Sequence, residues 1–374
     1  MTRSHRASRP AGRVDVAVAS DEVQLRRALP AWEAVVAADA SAGLFQSPQM
    51  YCAWHAAHAR ALAPRVMLAT IEGEPVGCLP LALSSEPRRG LRIATLASGN
   101  PRADLIAHPG HRERVAAAFA DRLASEGGWD VLALDGMSSS SPLVAALLAR
   151  LAPGRGYRAG VAPSAPAEAY LPADCTWQDY LERKGRHFRH SLKYQCKRIY
   201  RAGEVAFRRA GPGSDALAAF DAFVALEDKS WKASGGDRLA PGDRECLRNL
   251  ARNADGKVAC DVLFLELDGT PAAGLLSLRY RSVYYLFVTY YDERVRTFYP
   301  GRPLFQEALM YAFSQPEVAE VSFIGAYPYA LSWCNAVREY RGLRIYSRGM
   351  RARYAETLDR WDRRAAAPRE EAGA

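Results

Sequence analysis

The residues best suited to chemistry cluster in one short stretch of the sequence. They are Tyr291, Asp292, Arg296, Tyr299, Gly301 and Arg302. A carboxylate beside a phenol can relay a proton or orient an acceptor, and a phenol can protonate a leaving group. The stretch also runs from the end of an aromatic strand into a helical pattern. The first N–H groups of a helix lack internal partners and attract anions. The pattern therefore predicts proton transfer and phosphate binding at one strand-to-helix turn.

Other candidate residues each have an ordinary structural alternative. Glu227 shares a predicted helix with Trp231 and could act as a base in a cleft, with Trp231 binding substrate; a solvated helix face is the alternative. Tyr329, like Tyr291, could protonate a leaving group, or could simply pack with its hydroxyl at the surface. Asp292 could instead cap the turn before Arg294. These alternatives stay open at the level of sequence.

A strongly basic helix is predicted inside a long helical segment that runs from Thr176 to about Gly203. Its cations, with no acid between them, are Arg183, Lys184, Arg186, Arg189, Lys193, Lys197, Arg198 and Arg201. Phe188, Leu192, Cys196 and Ile199 recur at helical spacing and should form the buried face. We expect Lys184, Arg186 and Lys193 to contact substrate. A solvated face, an anionic membrane face, a phosphate-bearing acceptor and a tRNA cofactor remain open, whereas DNA-reading motifs are absent from the sequence.

An internal repeat indicates the elements that position these residues. Residues 66–83 align with residues 262–279, so that Val66 falls on Val262, Gly73 on Gly269 and Pro75 on Pro271. Each segment reads as a β-hairpin with an acidic-Gly turn. A Pro-Gly-led helix and a further strand follow in the same order in both halves. The order predicts a duplicated α/β (α+β) unit, each copy a mixed sheet flanked by helices. Asp104 of the first copy is then the expected counterpart of Asp292, and could contribute to a shared cleft.

The sequence predicts that the chain has four segments. We predict a disordered basic arm over residues 1–13, a first domain over 14–165, a second, catalytic domain over 166–354, and a charged tail over 355–374. The boundary near residue 165 lies in a segment rich in Pro and Ala. The tail is expected to fray because it is charged and rich in Ala.

Composition excludes several classes of protein. The chain has 374 residues, 49% hydrophobic and 24% charged, which is typical of a globular protein. No apolar run reaches the ~18–20 residues needed to cross a bilayer. The basic N-terminus has no apolar core of the kind found in signal sequences, so we expect a cytoplasmic protein. Seven scattered cysteines without a CxxC pair argue against a disulfide framework or a zinc cluster, and we expect no metal. The formal charge of +9 favours anionic partners.

An ordered series of motifs runs from about Phe45 to Arg348. It comprises FQSPQMYCAWHAAHA, then Trp177 to Arg186, Trp231, Asp268-Gly269, Tyr284-Tyr285, Tyr291-Asp292 and Pro300-Gly301 to Leu304. With these motifs the chain resembles the FemAB-related, CelD-type (cellulose-biosynthesis) acetyltransferase-like proteins. The resemblance implies a tandem pair of GNAT-like domains, in which two strands splay around pantetheine. It implies acetyl-CoA or another acyl-CoA as donor, bound at Arg296, Tyr299, Gly301 and Arg302.

The same resemblance implies transfer of an acyl group, most simply acetyl, to nitrogen or oxygen of a cell-envelope or exopolysaccharide-related precursor. The chain departs from the family pattern at three positions. Ser322 replaces an acid, Ala330 replaces a lysine, and Tyr299 replaces a serine. These changes are compatible with altered substrate choice, or with a non-catalytic scaffold in a polysaccharide-synthesis system. A FemAB-like ligase that uses aminoacyl-tRNA is a further alternative.

Overall fold

The structure is a computed structural model that describes residues 12–98, 104–161, 167–211, 216–235, 238–252, 256–334 and 336–366. The predicted basic arm, except for its last two residues, lies outside these ranges. So do most of the predicted boundary segment and the last eight residues of the predicted tail.

Fifteen strands and twelve α-helices form in the described part of the chain. The strands are β1 Val14–Ala19, β2 Leu62–Ile71, β3 Glu74–Arg88, β4 Leu91–Ser98, β5 Ile106–Ala107, β6 Val131–Ser138, β7 Arg158–Val161, β8 Glu168–Pro172, β9 Val205–Ala210, β10 Val258–Leu267, β11 Thr270–Tyr280, β12 Val283–Tyr291, β13 Glu320–Ser322, β14 Ala336–Arg338 and β15 Tyr340–Tyr346. The helices are α1 Glu22–Ala38, α2 Pro48–His58, α3 Arg112–Ser125, α4 Pro142–Arg150, α5 Trp177–Arg183, α6 Arg186–Ile199, α7 Ala216–Glu227, α8 Lys232–Gly235, α9 Pro241–Arg252, α10 Gly301–Ser314, α11 Pro328–Trp333 and α12 Met350–Ala366. Short 3₁₀ helices are η1 Leu44–Gln46, η2 Pro109–His111, η3 Pro153–Arg155 and η4 Glu293–Phe298. None of the helices in these ranges is long and apolar enough to cross a membrane.

The chain divides into two compact units, each with its own mixed sheet. The first contains Met1–Tyr51, His58–Ala165 and Tyr340–Ala374, and the second contains Cys52–Ala57 and Pro166–Glu339. The first sheet has the order β1-β2-β3-β4-β6-β15-β7, with β5 paired to β3. The second has the order β14-β8-β13-β12-β11-β10-β9. Among the described strands, one pair in each sheet is parallel, β4 with β6 in the first and β12 with β13 in the second, and the other pairs are antiparallel.

The two sheets repeat one another in detail. The β2–β3 hairpin has a register shift after Ala69, and the β10–β11 hairpin has one after the aligned Leu265. Both hairpins turn through an acidic residue and a glycine with positive φ, at Glu72-Gly73 and at Asp268-Gly269. This turn suits the right-handed twist of a hairpin. The predicted fold class, a pair of mixed sheets flanked by helices, is therefore confirmed.

One strand position in each sheet is filled from a distant part of the chain. In the first unit β15 lies between β6 and β7, and in the second β8 lies between β13 and β14. Residues 340–354, predicted in the second domain, thus belong to the first unit. Residues 355–366, predicted as tail, continue α12, in which Ala352 and Ala355 are buried against β4 and β6. Local sequence patterns could not predict where residues 340–354 and 355–366 pack, because their partner strands are some 200 residues away in the chain.

The predicted long helix from Thr176 is interrupted. The capping box of Thr176 and Asp179 starts α5 as expected. Lys184 and Gly185 then adopt extended backbone, so that α6 begins separately at Arg186. Leu192 and Ile199 are buried and Phe188 and Cys196 are packed against the same core, which agrees with the predicted apolar face.

Helices cover both faces of the second sheet. On β11, Leu275 joins the core that includes Leu304 and Ala308 of α10. The adjacent Gly274 faces α7, since strand residues alternate between faces. A Cβ at Gly274 would lie 2.9 Å from Phe223 and 3.1 Å from Leu226. The absence of a side chain there therefore lets α7 approach the sheet.

Glu227, at the end of α7, is a structural anchor in this unit. It is 1% exposed, and its Oε1 accepts from the Tyr290 hydroxyl at 2.7 Å and the Leu239 amide at 2.9 Å. Its Oε2 pairs with Arg244. Burial acts to raise the pKa of this carboxyl, but these bonds outweigh it and leave the pKa below its usual 4.5. Glu227 is thus neither on a solvated face nor an open base, because it is buried with its acceptor sites occupied.

Replacing Gly274 with Ala should overpack the α7 interface. We expect a loss of about 1–3 kcal/mol in the free energy of unfolding, measured by urea denaturation. Gly211→Ala is the matched control, because it lies in the same unit and a Cβ there meets no described atom within 4 Å. It should shift stability by only a few tenths of a kcal/mol (about 0.5 at most). Equal stability of Gly274→Ala and the parent protein would contradict this packing.

Replacing Glu227 with Gln should destabilise the fold by about 1–3 kcal/mol near neutral pH, because the single oxygen of the buried amide cannot accept from all three donors. A carboxyl with a lowered pKa stabilises the fold above its unfolded pKa, and that contribution is lost as pH falls through the folded value. The gap between parent and variant in urea unfolding should therefore shrink below about pH 4.5. The control is Glu245→Gln, which removes an exposed pair with Arg252. A stability difference between parent and variant that does not change with pH would contradict a lowered pKa of Glu227 in the folded protein.

Candidate active site

The second sheet opens where β12 and β13 diverge. The two parallel strands pair only from Val283 opposite Glu320 to Tyr285 opposite Ser322. Strand β12 continues to Tyr291, whereas β13 ends at Ser322. A crevice at the carboxyl ends of parallel strands is where open α/β sheets place their ligands. We call this divergence the wedge.

A β-bulge shapes the β12 side of the wedge. Leu276 pairs with Val288 and Ser277 with Leu286, so that Phe287 is an extra residue on β12. Bulges bend a strand and redirect its side chains, and they are frequent beside active sites. The bulge lies immediately beyond the last pairing position with β13, and therefore at the apex of the wedge.

Aromatic side chains follow the end of β13. A Cβ on Gly325 would lie 2.2 Å from the Tyr327 ring, so glycine is required for that ring to pack there. Tyr327 stacks on Tyr329 with ring centroids 5.8 Å apart, and Tyr329 contacts Phe305 of α10. Partial burial raises the pKa of Tyr329 to about 12. Its phenol thus stays protonated at neutral pH and can donate a proton, as the sequence-based hypothesis requires.

Asp292 caps η4 at the end of β12. Its Oδ1 accepts from the Arg294 amide at 2.9 Å, and the Arg294 guanidinium lies 2.6 Å from Oδ2. The hydrogen bonds from Arg294 hold the pKa of Asp292 below its usual value. This geometry fits the alternative role of Asp292, that of an ionised cap of the turn before Arg294, and not that of a proton relay. The adjacent Tyr291 is half-buried, and burial, aided by Glu293, raises the pKa of its phenol.

The first turn of α10 offers fewer amide donors than the sequence predicted. Pro300 and Pro303 have no N–H, and the Arg302 amide donates to the carbonyl of Tyr299 at 3.1 Å. The Gly301 amide is the remaining donor of this turn that no bond within the described ranges occupies. A Cβ at Gly301 would meet no described atom within 4 Å, so the space beside this residue is open.

Cations surround this turn. Arg302 donates to the Ser332 hydroxyl at 3.0 Å and lies over the Trp333 ring, and burial lowers its pKa. Arg296 is largely exposed, 3.9 Å from Glu293. Helix α6 packs against both η4 and α10, and its Arg198 lies 4.9 Å from the centroid of the Tyr299 ring. The structure therefore brings the basic helix and the predicted phosphate turn together, although Arg198 was not among the predicted site residues.

The remaining predicted substrate contacts are more dispersed. Lys184 ends α5, with its ammonium group 5.5 Å from the Tyr180 ring and 5.2 Å from the Phe188 ring, and burial lowers its pKa. Arg186 and Lys193 are exposed on α6. Trp231 is 41% exposed after α7, in a loop whose Lys229 carbonyl accepts from the Glu293 amide at 3.1 Å. That loop therefore adjoins the end of β12.

His108, and not Asp104, occupies the place of Asp292 in the first unit. The His108 amide donates to Val76 and the Asp292 amide to the aligned Ala272, both at 2.9 Å. Each residue also caps a short 3₁₀ helix through its side chain. Asp104 is instead buried, and accepts from Ser138 and Ser141. Burial raises the pKa of its carboxyl.

Two positions that depart from the family pattern are fully buried. Ala330 is 0% exposed in the core of the second unit, and Ser322 is 0% exposed beside Glu168 of β8. No sequence motif marked Glu168, because only strand pairing brings β8 next to β13. Within the described ranges, no group of three or more His, Cys, Asp or Glu side chains could hold a metal ion.

Comparison with known proteins shows which domain and which folds this chain resembles. The acetyltransferase (GNAT) domain model matches residues 186–330. No curated protein matches the chain. Among solved structures, FemX has a TM-score of 0.60 at 12% identity, covering 87% of this chain and 97% of its own.

Two further structures share the fold over a similar length. A conserved protein of unknown function from Bacteroides thetaiotaomicron has a TM-score of 0.55 at 12% identity, covering 89% of this chain and 100% of its own. The C-terminal domain of a protein named as a lysylphosphatidylglycerol synthetase from Agrobacterium fabrum has a TM-score of 0.52 at 13% identity, covering 90% and 96%. At these identities the likeness is one of fold. Residues 186–330 thus match an acetyltransferase (GNAT) domain, and the chain shares the fold of FemX.

Proposed function

We propose that the protein is an acyl-CoA-dependent N- or O-acyltransferase that acts on a cell-envelope or exopolysaccharide-related precursor. One observation carries the proposal: two parallel strands diverge beside a cationic helix-start turn within the matched GNAT domain. The acyl group and pantetheine then lie in the wedge. The diphosphate lies at the start of α10, where a Cβ at Gly301 would meet no described atom within 4 Å.

The chemistry needs few groups from the protein. The acceptor nitrogen or oxygen attacks the thioester carbonyl and gives up its own proton, the carbon–sulfur bond breaks, and the departing thiolate takes up a proton. The proton released by the acceptor replaces, directly or through solvent, the one that the protein donates. Tyr291 and Tyr329 both have a raised pKa and are protonated at neutral pH, so that either phenol can supply that proton. Asp292, fixed by Arg294, orients groups and does not accept the proton.

Cations make up for the missing amides at the turn. Pro300, the cap of α10, and Pro303, in its first turn, have no N–H. Among the described residues the helix start therefore presents one open N–H, that of Gly301. Arg302, Arg296 and Arg198 lie around it and bear full positive charges. Arginine binds phosphate through two parallel hydrogen bonds, which a single backbone amide cannot provide.

A second candidate is aminoacyl transfer from tRNA, and the surface of α6 favours it. Arg186, Lys193 and Lys197 are exposed, and no carboxylate of the described residues lies within 4.0 Å of them. A solvated face would ordinarily carry acids among its bases. A polyanion larger than a diphosphate would use this whole face.

Gly301→Val tests the placement of the diphosphate. The added side chain points into open space in the folded protein, so stability should be retained, while the close approach of a phosphate to the amide is blocked. We expect the Kd values for both CoA and acetyl-CoA, measured by calorimetry, to rise by at least about tenfold.

Gly349→Val is the matched control, since Gly349 also lies at the start of a helix, immediately before α12, and its Cβ would meet no described atom within 4 Å. It should leave both Kd values unchanged. Normal CoA binding by Gly301→Val would show that the diphosphate lies elsewhere. Failure of the parent protein to bind either ligand at millimolar concentration would count against the whole proposal.

Bulk tRNA tests the second candidate. If α6 binds RNA, affinity should fall steeply with salt, and the Lys193→Gln, Lys197→Gln double variant should reduce the slope of log K against log salt by about 0.7 for each lost contact with a single strand. Arg252→Gln, which alters a paired cation on α9, is the control and should keep the parent slope. Identical slopes for all three proteins would exclude α6 as the RNA surface.

A further inference from the structure

A strained turn lies at the apex of the wedge. The Gly325 amide donates to the Phe323 carbonyl at 2.6 Å, which closes a three-residue γ-turn centred on Ile324. Ile324 has a φ of 62°. This region is costly for a branched side chain, and γ-turns with positive φ are rare. Such a conformation persists only where its surroundings impose it, and it concentrates at functional sites.

Ser322 imposes this conformation from the last residue of β13. Its hydroxyl accepts a hydrogen bond from the Ile324 amide at 3.1 Å. The same hydroxyl donates to Oε1 of Glu168. Because Ser322 is 0% exposed and Glu168 is 3% exposed, water does not compete for either bond.

Glu168 is itself fixed by its neighbours. It lies on β8, opposite Arg338 of β14, whose guanidinium is 3.9 Å from Oε2. Arg338 also pairs with Glu320 and lies over the Tyr170 ring. The Phe323 amide donates to the Ala169 carbonyl at 2.9 Å, so β8 holds the turn through its backbone as well.

We propose that Ser322, oriented by Glu168, is a positioning residue that fixes the acyl end of the donor. The proposal rests on the proposed acyl-CoA function. Ser322 is the last residue of β13 paired with β12, and the extra residue Phe287 lies just beyond the same point on β12. The γ-turn and the bulge therefore form the two walls of the apex. A turn held in one conformation presents a fixed wall to the acyl group, whereas the diphosphate is bound at α10.

Because the acyl group and the diphosphate are bound at different places, the Ser322→Ala variant should weaken the binding of acetyl-CoA but not that of CoA. The loss of the hydroxyl frees the Ile324 amide and lets the turn relax, without touching the start of α10. Calorimetric titration should show the affinity for acetyl-CoA falling by about tenfold, since a buried hydrogen bond is lost. The affinity for CoA, which has no acyl group, should change by less than about twofold on the same scale.

Conservative variants separate positioning from general structural support. Ser322→Thr keeps the hydroxyl and should retain the preference for acetyl-CoA over CoA. Glu168→Gln keeps an acceptor oxygen and should do the same, whereas Glu168→Ala should behave as Ser322→Ala does. Cys260→Ala is the control, because Cys260 is also buried in this sheet but lies on β10, two strands away from β12. It should leave both affinities unchanged.

Each outcome decides the proposal. Unchanged acetyl-CoA binding by Ser322→Ala, or an equal loss for both ligands, would overturn the positioning role and leave the acyl-CoA function standing. An equal loss for both ligands is expected only of Gly301→Val. A parent protein that binds neither ligand would remove the acyl-CoA function, and the role of Ser322 with it.

Discussion

The divergence of two parallel strands organises the second unit of this protein. Strands β12 and β13 share only three pairing positions before they separate. The separation is held from both sides, by the extra residue Phe287 on β12 and by the γ-turn at Ile324 after β13. Backbone groups near such an opening cannot all pair within the sheet, which makes it a natural place for a ligand.

The duplicated hairpin gives the second unit an antiparallel core that does not depend on the pairing lost at this opening. The same hairpin register, bulge and turn recur in both sheets, so each copy folds around the same antiparallel core. The inserted strands β8 and β15 then complete the second and first sheets, respectively. In the second unit the inserted strand also brings Glu168 against Ser322, and thereby places a carboxylate beside a position where the sequence has no acid.

The electrostatics of the α10 turn differ from a helix start that binds anions through its amides alone. Pro300 and Pro303 remove donors, and Arg302 uses its amide within the turn. The guanidinium groups of Arg302 and Arg198 replace this lost donor capacity with charge. Asp292, which the sequence offered as a proton relay, is instead committed to Arg294. Asp292 thus supports the geometry of the site, while the cations lie around the start of α10.

The sequence alone determined the fold class, the duplication, a basic helix and a strand-to-helix turn, but not that the helix and the turn lie side by side. These follow from local patterns, such as the acidic-Gly turn of each hairpin and the apolar spacing from Phe188 to Ile199. Only the tertiary structure decided that His108 is the counterpart of Asp292, that Glu227 is a buried anchor, and that residues 340–366 complete the first unit. Each of these depends on pairing between residues far apart in the chain. Such contacts are selected by how whole sheets bury their backbone and apolar surface, which no local spacing encodes.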